Sequence, residues 1–146
     1  MSPHLFLIPM IAGLVAQALK PIFNREWFAT INDAGRKLPR YGGMPSAHTA
    51  FVVSLVTVVG LTDGVASTTF AVAVAMLILI LDDALRMRLF LGRYGLALYR
   101  LVTKLPPEER NTFPYLEQRL GHRPREVIAG AVVGLVLTVT IMVLSG

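Results

Sequence analysis

The chain has 146 residues, 54% of them hydrophobic and only 16% charged, with a mean hydropathy of +0.61. That length holds one domain (1–146), and the balance suits an integral membrane protein rather than a soluble one. The absence of cysteine excludes disulfides, thiolate metal sites and cysteine nucleophiles, and a net charge of +5 in so apolar a chain points to anionic headgroups rather than nucleic acid.

The first apolar run, residues 5–19, is interrupted only by Pro9, Gly13 and Gln17. No basic region precedes it and no clean cleavage site follows, so it reads as a retained span ending at Lys20-Pro21 rather than a signal peptide. A polar stretch, 24–41, carries Arg25, Glu26, Asp33, Arg36, Lys37 and Arg40, with Trp27 and Tyr41 placed as an interfacial aromatic belt. Tyr41-Gly42-Gly43-Met44-Pro45-Ser46-Ala47-His48 then forms a tight polar turn that opens the second span, 47–61. Thr62-Asp63-Gly64 is a short turn before the third span, 65–81, which Asp82 and Asp83 close. Residues 88–103 alternate basic and apolar side chains at helical spacing and are expected to lie along the interface. Residues 104–118, with Pro106, Pro107 and Pro114, read as a solvated loop. The last span is 127–144. The predicted fold is therefore an all-α integral membrane bundle of about four transmembrane helices plus an interfacial helix. Several spans are short, since fifteen residues reach only ~22 Å against a hydrocarbon core of ~30 Å.

Four spans put all fourteen Lys and Arg residues on one side of the membrane. By the positive-inside rule that side is cytoplasmic, in an inner or plasma membrane, and the inference fails only if 88–100 also crosses. Polar residues at the span ends collect on the same rim: Lys20, Arg25, Ser46, His48, Asp83, Arg86, Arg88, His122 and Glu126. His48 and His122, two of three histidines, stand at the mouths of hydrophobic helices. Helix N-termini and nearby cations suit a phosphate, with one histidine attacking phosphorus and the other protonating the leaving oxygen. Few carboxylates and no thiols leave a metal site poorly supplied, and no cofactor is expected.

Lys20, the run Gly42-Gly43-Met44-Pro45-Ser46-Ala47-His48, and Leu120-Gly121-His122-Arg123-Pro124-Arg125-Glu126-Val127 with Gly130 and Gly134 resemble the divergent branch of the type-2 phosphatidic acid phosphatase superfamily. That superfamily includes lipid phosphate phosphatases and the vanadium haloperoxidases. The likeness is strong in the two histidine motifs and weaker at Asp83-Ala84 and Arg88 with Gly92, where Leu89 replaces a usual second arginine. It implies His122 as nucleophile, Glu126 in place of the aspartate that orients it, and His48 as general acid. Ser46, Ala47 and neighbouring N–H groups would hold phosphate oxygens, with Lys20, Arg25, Asp83 and Arg88 completing the substrate site. Leu116 stands where other members carry a phosphate-binding arginine, and the Lys20–Arg25 spacing is shortened.

Each residue also has a plainer reading. Ser46 is a good helix cap, Glu126 takes a favoured acid position two residues after Pro124, and Asp82 with Arg86 is an ordinary surface pair. Gly130 and Gly134 signal close helix packing, with a homodimer through that helix as one assembly they would serve. The functional expectation is a membrane phosphatase or phosphotransferase acting on a lipid-linked phosphate. The alternative is a non-catalytic module that binds anionic lipid or a protein partner through its basic rim. A transporter has little support, because no charged residue lies mid-span.

Overall fold

The computed structural model describes residues 5–23, 30–31, 37–38, 43–110, 112–113 and 124–145. Its helices are α1 (Leu7–Phe23), α2 (Ala47–Thr62), α3 (Thr68–Asp82), α4 (Arg88–Val102), α5 (Pro107–Arg110) and α6 (Pro124–Ser145), and a π-helical turn at Asp83–Met87 joins α3 to α4. A minimal antiparallel ladder, β1 (Thr30–Ile31) with β2 (Lys37–Leu38), pairs Thr30 with Leu38 and Ile31 with Lys37. The polar stretch thus contains a strand pair that its composition did not announce. Trp27 and Tyr41 lie outside the described residues.

Local chemistry starts and stops these helices. Gly43 adopts a φ of 88°, a left-handed conformation that favours glycine, and two residues after Met44 the chain enters α2 through Ser46. Gly64 does the same between α2 and α3, at a φ of 86°. There Ser67 caps α3 by accepting the Phe70 N–H at 3.1 Å, while its hydroxyl donates to the Gly64 carbonyl at 2.8 Å. The cap explains why α3 begins at Thr68 and not at Val65. At the other end, α6 starts on Pro124, where proline's missing N–H costs no helical bond.

Helix α1 runs past the expected stop at Lys20-Pro21 to Phe23, so Pro21 lies inside its last turn. Asp82 is the last residue of α3, as expected, but the helical path does not stop there. Asp82 Oδ1 accepts from Arg86 Nε one turn on, so the acid is neutralised within a helix that continues through the π turn. The result is one helical stretch, Thr68–Val102, of 35 residues. In the expected loop, α5 forms a single exposed turn with Glu108 and Glu109 in its first positions.

Helix α2 is the centre of the bundle, packed against α1, α3 and α6, while α1 also touches α6. The α2–α6 contact is the closest. Gly130 faces Ser46, Gly134 faces Ala50, and Thr138 donates to Ser54 Oγ at 2.6 Å. All three pairs are 84 residues apart, so the helices run parallel and in step. Three buried small or polar residues on each helix, four apart, let the backbones approach. A methyl group on Gly134 would overlap the Ala50 carbonyl oxygen and come within 3.0 Å of its carbonyl carbon. The glycine face is therefore occupied by α2 inside the chain.

The remaining surface is strongly apolar. Leu14, Ile22, Ile78, Leu79, Val143 and Leu144 are all exposed, as suits side chains facing lipid tails. Two helices, Thr68–Val102 and Pro124–Ser145, are long and apolar enough to cross a membrane. Helices α1 and α2 are apolar but shorter, with 17 and 16 residues.

Gly134→Ala should destabilise the bundle by about 1–3 kcal/mol through overpacking against backbone that has nowhere to move. At Gly13 an added methyl group meets only the Phe51 side chain and the Ala47 carbonyl, at 3.4 Å or beyond. Gly13→Ala should therefore stay within about 0.5 kcal/mol. Thermal unfolding of both variants in detergent compares them directly.

Candidate functional site

The N-terminus of α2 is built from the buried Ser46 outward. Its backbone adopts an extended conformation, φ −72° and ψ 113°, and its Oγ accepts from the Thr49 N–H at 3.4 Å and the Thr49 hydroxyl at 2.9 Å. The Ser46 N–H donates to the carbonyl of Glu126 at 2.9 Å. One residue thus caps α2, braces its first turn and ties it to the first turn of α6. Ser46 and Thr49 are both 0% exposed. The serine hydroxyl is sealed between the helices, so in this structure Ser46 positions the rim rather than facing a ligand there, as the plainer reading of the sequence had it.

Around that tie the other expected residues divide. His48, the second residue of α2, is exposed, and Ala47 before it is half-buried. Glu126, the third residue of α6, is half-buried at the same end. Asp83 opens the π turn and is also half-buried. Gly60 faces Phe70 across the short α2–α3 connection, so these two helices form an antiparallel hairpin. That hairpin returns Asp83 to the end where Ser46 and His48 lie. Lys20 is only 7% exposed and shares its buried face of α1 with Ile8, Ala12 and Ala16 at four-residue steps. Arg88 is the first residue of α4. His122 and Arg25 lie outside the described residues.

The parallel course of α2 and α6 has an electrostatic consequence. Both helices present their N-termini, the positive ends of their dipoles, at one end of the bundle. Arg125, exposed in the first turn of α6, adds a full charge there. An anion is the ligand such an end favours.

Sequence reasoning picked out Ser46 and the pair Gly130 and Gly134 but not the matching stripe on α2. Thr49, Ala50 and Ser54 went unremarked, although Ser46, Ala50 and Ser54 recur at the same four-residue step as Gly130, Gly134 and Thr138. That shared step was the available signal.

Residues 1–137 match the family described as the divergent PAP2 family. The chain belongs to that family. A relative, the uncharacterized membrane protein YuiD of Bacillus subtilis (strain 168), is 33% identical over 111 residues, covering 68% of this chain and 70% of the relative. No solved structure matches. Membership, the relative's membrane character and the apolar helices together identify a membrane protein of a phosphatase-related family.

Ser46→Ala removes the cap and leaves both Thr49 donors without their acceptor. It should cost about 1–2 kcal/mol, the upper part of the usual range for a lost cap, because the site is buried. Ser67→Ala, at a more open cap, should cost less. Chemical unfolding of the two variants in detergent checks the order.

Proposed function

We propose that this chain is a membrane phosphatase or phosphotransferase that acts on a lipid-linked phosphate or diphosphate through a phosphohistidine on His122. One geometric fact carries the reading: α2 and α6 run parallel and are tied by the Ser46–Glu126 hydrogen bond. The helix that carries His48 as its second residue and the helix that His122 precedes by two residues therefore start at one end of the bundle.

In the proposed reaction an imidazole nitrogen of His122 attacks phosphorus as the phosphorus–oxygen bond to the lipid breaks. His48, as imidazolium, gives its proton to the departing oxygen. Water then attacks the phosphohistidine, its proton passes to His48, and the phosphorus–nitrogen bond breaks to release phosphate. Glu126 holds the second ring N–H of His122, which fixes the tautomer that attacks. Lys20, Arg25 and Arg88 supply positive charge for the phosphate oxygens, Ala47 keeps the helix start uncrowded, and Asp83 lies at the same end. Ser46 contributes by holding α2 to α6 rather than by direct contact.

Chain direction supports the proposed placement in the membrane. Parallel α2 and α6 require an odd number of crossings between them. A crossing by α3 alone satisfies that, whereas a second crossing by residues 88–103 would make α6 antiparallel to α2. With one crossing, all fourteen Lys and Arg residues fall on one side, which the positive-inside rule makes cytoplasmic. The reactive end and the basic segments then share that face, and a lipid substrate presents its head there while its tail stays in the bilayer.

Leu116 in place of an arginine favours the second reading, a non-catalytic lipid-binding module. Phosphate release from a panel of lipid phosphates in detergent separates the two. Wild type should turn over, His122→Ala should be silent, and His48→Ala should fall roughly 100-fold to 10,000-fold, with all three unfolding at similar temperatures. Silence of the wild type across the panel supports the binding module, and equal turnover by His122→Ala removes His122 from the chemistry.

A further inference from the structure

Helix α4 extends beyond the bundle, and its two faces differ in kind. Phe90, Tyr94, Leu98 and Leu101 follow one another at four- and three-residue steps and so share a face. All four are exposed, Tyr94 at 70% and Leu101 at 62%. Beside them run Arg93, Arg100 and Lys104, also exposed and at seven- and four-residue steps. The Arg93 guanidinium lies 5.7 Å from the centre of the Phe90 ring, at the border between the two stripes. From Ala84 to Pro107 there are five Lys and Arg residues and no acid.

Length fixes where this helix begins. The continuous stretch Thr68–Val102 has 35 residues, ~52 Å of rise, and the hydrocarbon core takes only ~30 Å of it. Residues 65–81 carry no charge and Asp82, Asp83 and Arg86 follow at once, so the core ends near Asp82 and α4 starts at the headgroup level. A helix with an apolar stripe, a flanking basic stripe and no acids, delivered to that level, matches an anionic phospholipid surface in both charge and depth.

We infer that α4 binds anionic phospholipid headgroups: Phe90, Tyr94, Leu98 and Leu101 enter the acyl boundary while Arg93, Arg100 and Lys104 pair with lipid phosphates. The π turn Asp83–Met87 is the junction at which the membrane-spanning part ends and the surface-bound part begins. The inference rests on the single crossing by α3 proposed above and is independent of the phosphohistidine chemistry.

The chain contains no cysteine, so single probes are introduced cleanly. Tyr94→Cys on the apolar face and Thr103→Cys on the opposite side each carry an environment-sensitive fluorophore. The full-length protein is reconstituted into phosphatidylcholine vesicles and into phosphatidylcholine–phosphatidylglycerol vesicles, with quenchers at known acyl depths. The expected result is a blue-shifted Tyr94→Cys probe, quenched from shallow depth, strongly in phosphatidylglycerol and weakly without it. Thr103→Cys should stay water-exposed. Adding Arg93→Gln, Arg100→Gln and Lys104→Gln should lower the bound-to-free ratio of the helix roughly 100-fold, at about five-fold per basic residue. High salt should act in the same direction.

Equal shallow quenching in both lipids overturns the anionic preference. No quenching in either lipid overturns surface binding, including the case where protection grows with protein concentration and a second copy covers the face. Quenching at the bilayer centre, with Lys104 side labelling from the opposite compartment, overturns the single-crossing reading itself.

Discussion

The arrangement depends on how closely α6 approaches α2. In a bilayer, lipid tails are as apolar as leucine, so apolar side chains alone give helices little reason to prefer each other over lipid. Gly130 and Gly134 change that by letting the backbone of α6 rest on the carbonyls of Ser46 and Ala50. Close approach then makes polar contacts available that would otherwise be out of reach, the Ser46–Glu126 tie at one end and the Ser54–Thr138 bond two turns further in. Each hydroxyl is satisfied inside the contact, which matters where no water is present to satisfy it. Packing and hydrogen bonding reinforce each other here, and neither forms without the small residues.

That contact also decides chemistry at a distance from itself. Its in-step register sets the relative height of two helix N-termini, and with them His48 and Glu126. A slip of one residue would rotate each side chain about its helix by ~100° and break both polar ties together. The burial of Ser46 follows from the same logic. Its backbone N–H makes the tie to α6, while its hydroxyl is engaged by Thr49 within the first turn of α2.

The features of the sequence that proved readable are those whose cause is local. Ser46 as a cap, Pro124 opening a helix with Glu126 in its first turn, and a glycine pair for packing each follow from a few neighbouring residues. Helix ends were harder, because a terminator acts only if nothing compensates for it. Asp82 does end α3, but the π turn that follows carries the helical path on into α4, which the acid pair alone does not reveal. Pro21 looked like a stop, yet α1 continues two residues beyond it. The partner of the glycine face was not legible from α6 alone. It required matching the step of Ser46, Ala50 and Ser54 on a helix some eighty residues earlier, and the same glycines equally suited a second copy of the chain.

Register also shapes the polar end itself. Helix α6 begins at Pro124, six residues before the glycine that faces Ser46, so it rises ~9 Å past the start of α2. Helix α2, with 16 residues and ~24 Å of rise, is shorter than the hydrocarbon core, while α6 with 22 residues spans it. The start of α2 is therefore recessed beside the first turns of α6. On the proposed reading, a lipid phosphate meets His48 below the level of its neighbours' headgroups, where water is scarcer and the dipoles of both helices act with less screening. On that reading, a short central helix tied at depth to a longer parallel one is how an apolar chain keeps its few charges near a phosphate.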